Sequence, residues 1–149
     1  GLGVNAYHMY SIYKSMEIIE TKIVDFSIEG WPIPVGATIT FRVTVNNPTE
    51  HSVTIEKLYY EIYVEDTFLA SGSKEYITIF PGQTHINLDV HVTTQDALRT
   101  LAIIISEGGK EIHWKIRGVV RIPIKLFNMV KIASIDIPYE TKGTYSLST

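Results

Sequence analysis

The stretch Ala37–Val92 reads ATITFRVTVNNPTE (37–50), HSVTIEKLYYEIYVED (51–66), TFLASGSKEYITIFPG (67–82) and QTHINLDVHV (83–92). In its first segment Ile39, Phe41, Val43 and Val45 share one parity, and Thr38, Thr40, Arg42 and Thr44 the other. In its last segment Ile86, Leu88, Val90 and Val92 alternate with His85, Asn87, Asp89 and His91. Strict period-2 alternation marks antiparallel strands with one face in a core and one in water. The breaks between strands carry turn chemistry. Asn47-Pro48 holds its first residue extended, Gly72 permits a reversal, and Pro81-Gly82 fits the two central positions of a type II turn. The pattern predicts a mainly β fold: an antiparallel β-sandwich, which with the rest of the chain amounts to seven to nine strands.

Outward from this block the same logic continues. Glu17–Ile28 reads as a strand whose apolar parity shifts near Ile23, as a bulge requires. Trp31, between Gly30 and two prolines, is placed as a cap over an open end of the core. In Ser52–Glu65 the apolar parity switches at Glu56-Lys57, which predicts a bulge or a strand crossing between sheets. Asp66-Thr67 is read as the turn that follows. Thr94 caps a helix over about 95–107, where Ala97, Leu98, Leu101, Ala102, Ile104 and Ile105 recur at helical spacing before Gly108-Gly109; the cap and acidic first turn favour it over a hairpin AIIIS–EGGK–EIHWKI suggested by β-branched Ile103–Ile105. Glu111–Ile124 returns to strand, with Gly118 expected at a bulge. Two further strands, Val130–Ile137 and Lys142–Leu147, are separated at Pro138-Tyr139 and Gly143.

At 149 residues the chain suits one domain able to bury about 70% of its unfolded surface without disulfides or metals. It has no cysteine, which removes thiol nucleophiles and cysteine-based zinc sites. A formal charge of −3 excludes the basic footprint of non-specific nucleic-acid binding. Residues 1–16, GLGVNAYHMYSIYKSM, carry Tyr7, Tyr10 and Tyr13 at spacing i, i+3, i+6 beside Lys14. Two readings stand for this lead-in: the end of a removed membrane anchor, or an exposed segment ahead of the domain at 17–149. The first makes the domain membrane-tethered and extracytoplasmic; the second is compatible with the cytoplasm.

The block FRVTVNNPTEHSVTIEKLYYEIYVEDTFLASG, followed by TIFPGQTHINLDVHV, resembles the late-embryogenesis-abundant type 2 family, also called the WHy (water-stress and hypersensitive-response) domain. The likeness extends through the helix, the strand at Trp114–Arg117 and the strand ending at Ile137-Pro138, covering Ile18 to Leu147. It implies a fibronectin-III-like or immunoglobulin-like antiparallel β-sandwich with an inserted helix and a Pro-Gly hairpin. It also implies protection during dehydration and other stress, no enzymatic activity and no cofactor. At the matched positions Asn47, Pro48, Gly72 and Pro81 hold turns, and the Ile-rich composition points to an archaeal or bacterial member.

The residues offer little chemistry. No GxSxG elbow or Gly-rich phosphate loop occurs. Asp89 and His91 stand two apart on one strand face, but His85 is too far along it to be a third ligand, so no metal site is expected. His113, Lys115, Arg117 and Arg121 form a basic stripe, expected to pair across strands with Glu61 and Glu65. Tyr59 and Tyr63 share the outward parity of those glutamates. Tyr59, Glu61, Tyr63 and Glu65 are therefore the candidate interaction face. The competing reading covers the two tyrosines with the helix or the Tyr-rich start. The predicted role is non-enzymatic stress protection through surface contacts with protein clients. The alternative is a tethered immunoglobulin-like accessory module.

Overall fold

The computed structural model describes residues 14–30, 33–107, 111–126 and 129–146. Tyr7, Tyr10, Tyr13 and Trp31 lie outside the described residues. Among the described residues seven strands and a helix follow in the order β1 (Glu17–Glu29), β2 (Gly36–Asn47), β3 (Val53–Val64), β4 (Thr67–Ile79), β5 (Gly82–Val92), α1 (Gln95–Glu107), β6 (Glu111–Leu126) and β7 (Val130–Ser146). They form two antiparallel sheets, β1-β2-β5 and β4-β3-β6-β7. The fourth strand joins the sheet of the third. That is the fibronectin-III arrangement; in the constant immunoglobulin type it joins the sheet of the first. Among the described residues no helix is long and apolar enough to cross a membrane.

The alternation built this sandwich directly. Ile39 and Phe41 of β2, Val90 and Val92 of β5, and Ile62, Ile112 and Ile116 from the other sheet are fully buried. Phe41 meets Trp114 of the opposite sheet edge-on, with centroids 5.2 Å apart. Along one side of the sandwich β1 faces β7, through Phe26 stacked on Tyr145 and the Thr141 hydroxyl donating to Thr21 Oγ1. In β1 the pairing register slips between Ile23 and Asp25, which moves the inward parity from Ile23 to Phe26 as predicted. Helix α1 begins where expected. Thr94 Oγ1 accepts from the Ala97 N–H at 3.4 Å, and Ala97, Leu98 and Leu101 are buried.

Several expected turns are not turns. Gly72 lies inside β4, paired with Tyr60. Pro138 and Gly143 lie inside a continuous β7. Both strands are edges of the four-stranded sheet, where a missing N–H is tolerated, and the space at each glycine is taken by a neighbour's ring. Pro81-Gly82 does turn the chain, with Gly82 at φ +84°. It is no hairpin, however: β5 pairs with β2, so the turn carries the chain from one sheet to the other. The parity switch at Glu56-Lys57 is real, since Ile55 and Leu58 both point inward. Yet β3 stays in one sheet and its register with β4 runs unbroken through Glu56-Lys57, slipping only between Ile62 and Tyr63, so the predicted corner is absent; opposite Glu56 the edge strand holds Tyr76 at φ +54° instead. Gly118 marks no bulge either, because its pairings with β3 and β7 run in register. The β3–β4 turn falls one residue early, on Glu65-Asp66. Both residues are left-handed, as a two-residue type I′ hairpin loop requires.

Asn47 does hold its turn. It is 1% exposed and ends β2. Its Oδ1 accepts from the Thr49 N–H at 3.0 Å and the Thr49 hydroxyl at 2.7 Å, while Nδ2 donates to His51 O at 2.8 Å. The side-chain amide thus replaces the ladder partners lost where Pro48 stops the strand.

Candidate functional site

The outer face of the β4-β3-β6-β7 sheet brings together most of the residues singled out above. Tyr59, at 38% exposure, stands in the middle of it. Two shallow troughs flank the ring. One, of about 460 Å³, is bordered by Glu61, Arg117 and Glu140; the other, of about 250 Å³, by Lys57, Arg121 and Asp136. Tyr63 is half-buried. Phe68 packs edge-on against it at 5.7 Å and the Lys115 ammonium lies 5.0 Å above its ring. Glu65 takes one of its expected partners, His113. It sits in the hairpin turn, and its Oε1 accepts from the His113 N–H at 2.8 Å with the His113 ring Nδ1 at 3.0 Å. It clamps the start of β6 and has no acceptor to spare on that oxygen for a partner.

The basic stripe is paired, though mostly not with β3. Arg121 binds Asp136 through Nε at 3.0 Å, Arg117 lies 3.6 Å from Glu140, and Lys115 lies 3.8 Å from Asp66. Only His113 takes a partner foreseen for it, Glu65; Glu61 faces Arg117 in register, but the guanidinium leans to β7 instead. At one end of the sheet Lys131 and the Ser134 hydroxyl both donate to Glu56. These exposed pairs each contribute little to stability, but together they leave the face nearly self-neutralised around the Tyr59 ring, with Phe68 exposed beside Tyr63.

Three carboxyls of this face are held below their ordinary values: Glu56 by the hydrogen bond from Lys131, Glu65 by the His113 backbone and then its ring, and Asp136 by Arg121. A depressed carboxyl stabilises the fold above its unfolded value and ceases to do so as pH falls through the folded one. Thermal stability is therefore expected to be level from neutrality to about pH 5 and to decline below it. High salt should shallow the decline. Melting temperature against pH, at low and high salt, measures this; a decline that begins near pH 6 or is indifferent to salt would contradict it.

The other outer face is occupied by its own ladder. Thr40 donates to Asp89 at 2.9 Å, Arg42 to Asn87 at 3.3 Å, and the Thr44 and Thr38 hydroxyls lie 2.9 and 3.3 Å from the ring nitrogens of His85 and His91. Asp89 and His91 thus engage threonines, and no group of three metal-ligating side chains occurs among the described residues.

A profile of late embryogenesis abundant proteins matches residues 42–136, from the middle of β2 to the first half of β7. This chain belongs to the late embryogenesis abundant family, type 2. The profile covers less than the Ile18–Leu147 span of the resemblance, but likeness in structure runs further. A solution structure from Arabidopsis thaliana is similar, with a TM-score of 0.58 and 17% identity over 91% of this chain and 85% of that one. A second solution structure, assigned to the late embryogenesis abundant class, has a TM-score of 0.52 and 17% identity over 98% and 87%. A crystal structure of a protein from Archaeoglobus fulgidus has a TM-score of 0.50 and 13% identity over 89% and 99%. At such identities these relatives support the fold alone. No curated protein matches the chain. The chain is thus a stress-related domain of late embryogenesis abundant type, built as a fibronectin-III-like sandwich.

Proposed function

We propose that this late embryogenesis abundant domain protects other macromolecules during drying without catalysing a reaction, through weak contacts made by the outer face of its four-stranded sheet. The observation that carries the reading is Tyr59, an open aromatic ring between two troughs on a face whose charges are paired among themselves. Such a face gives apolar contact at its centre and no strong net field, which suits many protein clients and no nucleic acid. A folded sandwich cannot replace water as a disordered chain does, so protection must come from its surface. Loss of water lowers the local dielectric and strengthens the Arg117–Glu140 and Arg121–Asp136 attractions. The face therefore keeps its shape under the conditions in which it would be used.

The test is recovery of a desiccation-sensitive enzyme dried with equimolar domain, with the Tyr59→Ser variant, or with an inert protein of similar size. Protection by the native chain that falls toward the inert control in Tyr59→Ser supports the reading. Equal recovery with the native chain and the inert protein refutes it.

A further inference from the structure

The core is not equally tight along its length. Toward the β3–β4 hairpin Ile39, Phe41, Val90 and Ile62 have no exposed surface. On the same strands toward the other end, Val43, Ile55, Leu58 and Ile86 keep 6–8%. These four side chains line a cavity of about 150 Å³ between the sheets. Its rim is formed by Met16, Glu17 and Ile18 at the start of β1 and by Ile137 and Tyr139 of β7; Ile18 is 41% exposed, so the space reaches the surface.

We infer that this cavity is a binding site for the aliphatic chain of a small amphiphile whose uncharged polar end remains at the rim. The walls are aliphatic and offer water no partner. The Tyr139 hydroxyl at the rim already donates to Tyr59 O at 3.3 Å, and Glu17 stands in solvent. A cavity of this size lined by aliphatic side chains stays dry and takes up small apolar molecules. The open rim lets one end of a longer molecule protrude, and Glu17 there opposes a carboxylate end. The volume holds only a short stretch of chain, which selects a monomeric amphiphile over a bilayer lipid. The inference does not rest on the protective face, which is the outside of the four-stranded sheet, whereas the cavity lies between the two sheets.

The experiment is a titration of the full chain with n-butanol, n-hexanol, n-octanol and octanoate, read by methyl NMR of Ile, Leu and Val. Saturable shifts are expected, centred on Ile55, Leu58, Ile86 and Ile137. Affinity should rise about fourfold per added methylene and then level once the chain outgrows the cavity. Octanol should bind more tightly than octanoate at neutral pH. Val45→Phe, from the β2 wall, and Ile18→Trp, at the exposed rim, should each weaken octanol binding; the second touches no buried wall, so folding is not at risk in both. Several outcomes overturn the inference: non-saturable shifts, shifts centred on the exposed Ile33 or Val130, undiminished binding in both folded variants, or preference for octanoate. So do equal shifts from phosphatidylcholine vesicles, or contacts in the ligand-free chain between the lining methyls and the rings of Tyr7, Tyr10 or Tyr13, which would make the lead-in the occupant.

Discussion

Gly118→Ala is expected to cost about 3 kcal/mol or more, a fall of about 6–12 °C in melting temperature for a domain of this size. A Cβ at Gly118 would lie 2.0 Å from the backbone oxygen of Tyr59, on the neighbouring strand, and 2.7 Å from the Tyr139 hydroxyl. The first contact cannot be relieved by a rotamer, because it is main chain against side chain within a paired ladder; β3 and β6 would have to separate. The neighbouring geometry shows why the glycine is there. Across the four-stranded sheet Gly72, Tyr60, Gly118 and Tyr139 stand in one row, each paired with the next. The Tyr60 ring covers Gly72, and the Tyr139 ring crosses Gly118 to bring its hydroxyl to Tyr59 O. Each glycine gives up its own packing so that a ring from the adjacent strand can lie over it. Tyr60 also ties the sheets together by donating to Asp89 O at 2.8 Å, and burial, with the Asp89 charge, pushes its phenol up. Two companions separate space from conformation. Gly82→Ala meets nothing within 4 Å but must hold φ +84°, so it should cost only about 1–2 kcal/mol. Gly72→Ala clashes with the Tyr60 ring alone, so Tyr60→Leu should recover part of its loss, whereas no side-chain change can rescue Gly118→Ala. Denaturant unfolding of the four variants decides it. A Gly118→Ala protein within about 0.5 kcal/mol of the native one would remove the row as an explanation.

The same row explains what could and could not be read from the sequence. Period-2 alternation placed β2 and β5 and their inward faces, because that signal is local to each strand. Thr94 placed the helix for the same reason. Gly72, Pro138 and Gly143 were read as breaks because, locally, glycine and proline are breaks. What keeps them in strands is non-local: Tyr60 over Gly72, Trp114 over Gly143, and an edge position that frees Pro138 from donating. The candidate face divides along the same line. Parity alone exposed Tyr59. The turn register set Glu65 against His113, and the position of β7 beside β6 gave the basic stripe partners in Glu140 and Asp136 that no pattern within β3 or β6 could reveal. The inter-sheet cavity had no signal in the sequence, since its volume depends on how far apart two correctly patterned sheets settle.

Trp114→Ala is expected to cost about 3–5 kcal/mol, the range for removing a large buried ring. Trp114 is 2% exposed. It packs edge-on against Phe41 of the other sheet and lies over Gly143 of β7, whose missing Cβ would sit 2.5 Å from Trp114 Cζ2. No other side chain fills the space it would vacate, because the position beneath it is a glycine. Trp114→Phe should behave differently. The indole N–H is buried without a hydrogen-bond partner, so it contributes an uncompensated desolvation cost that phenylalanine removes. Loss of the second ring and loss of that cost oppose each other, and the net change should be no more than about 1–2 kcal/mol. Gly143→Ala in the native background should clash with the indole, and in the Trp114→Ala background it should become neutral or stabilising, since the added methyl then enters a void. A double-mutant cycle between the two positions measures the dependence directly. Coupling of less than about 0.5 kcal/mol would mean that the glycine is not there to seat the tryptophan. Strong coupling would establish that the edge strand β7 is held to the core by an aromatic ring from its neighbour as well as by its own Ile137, Tyr139 and Tyr145.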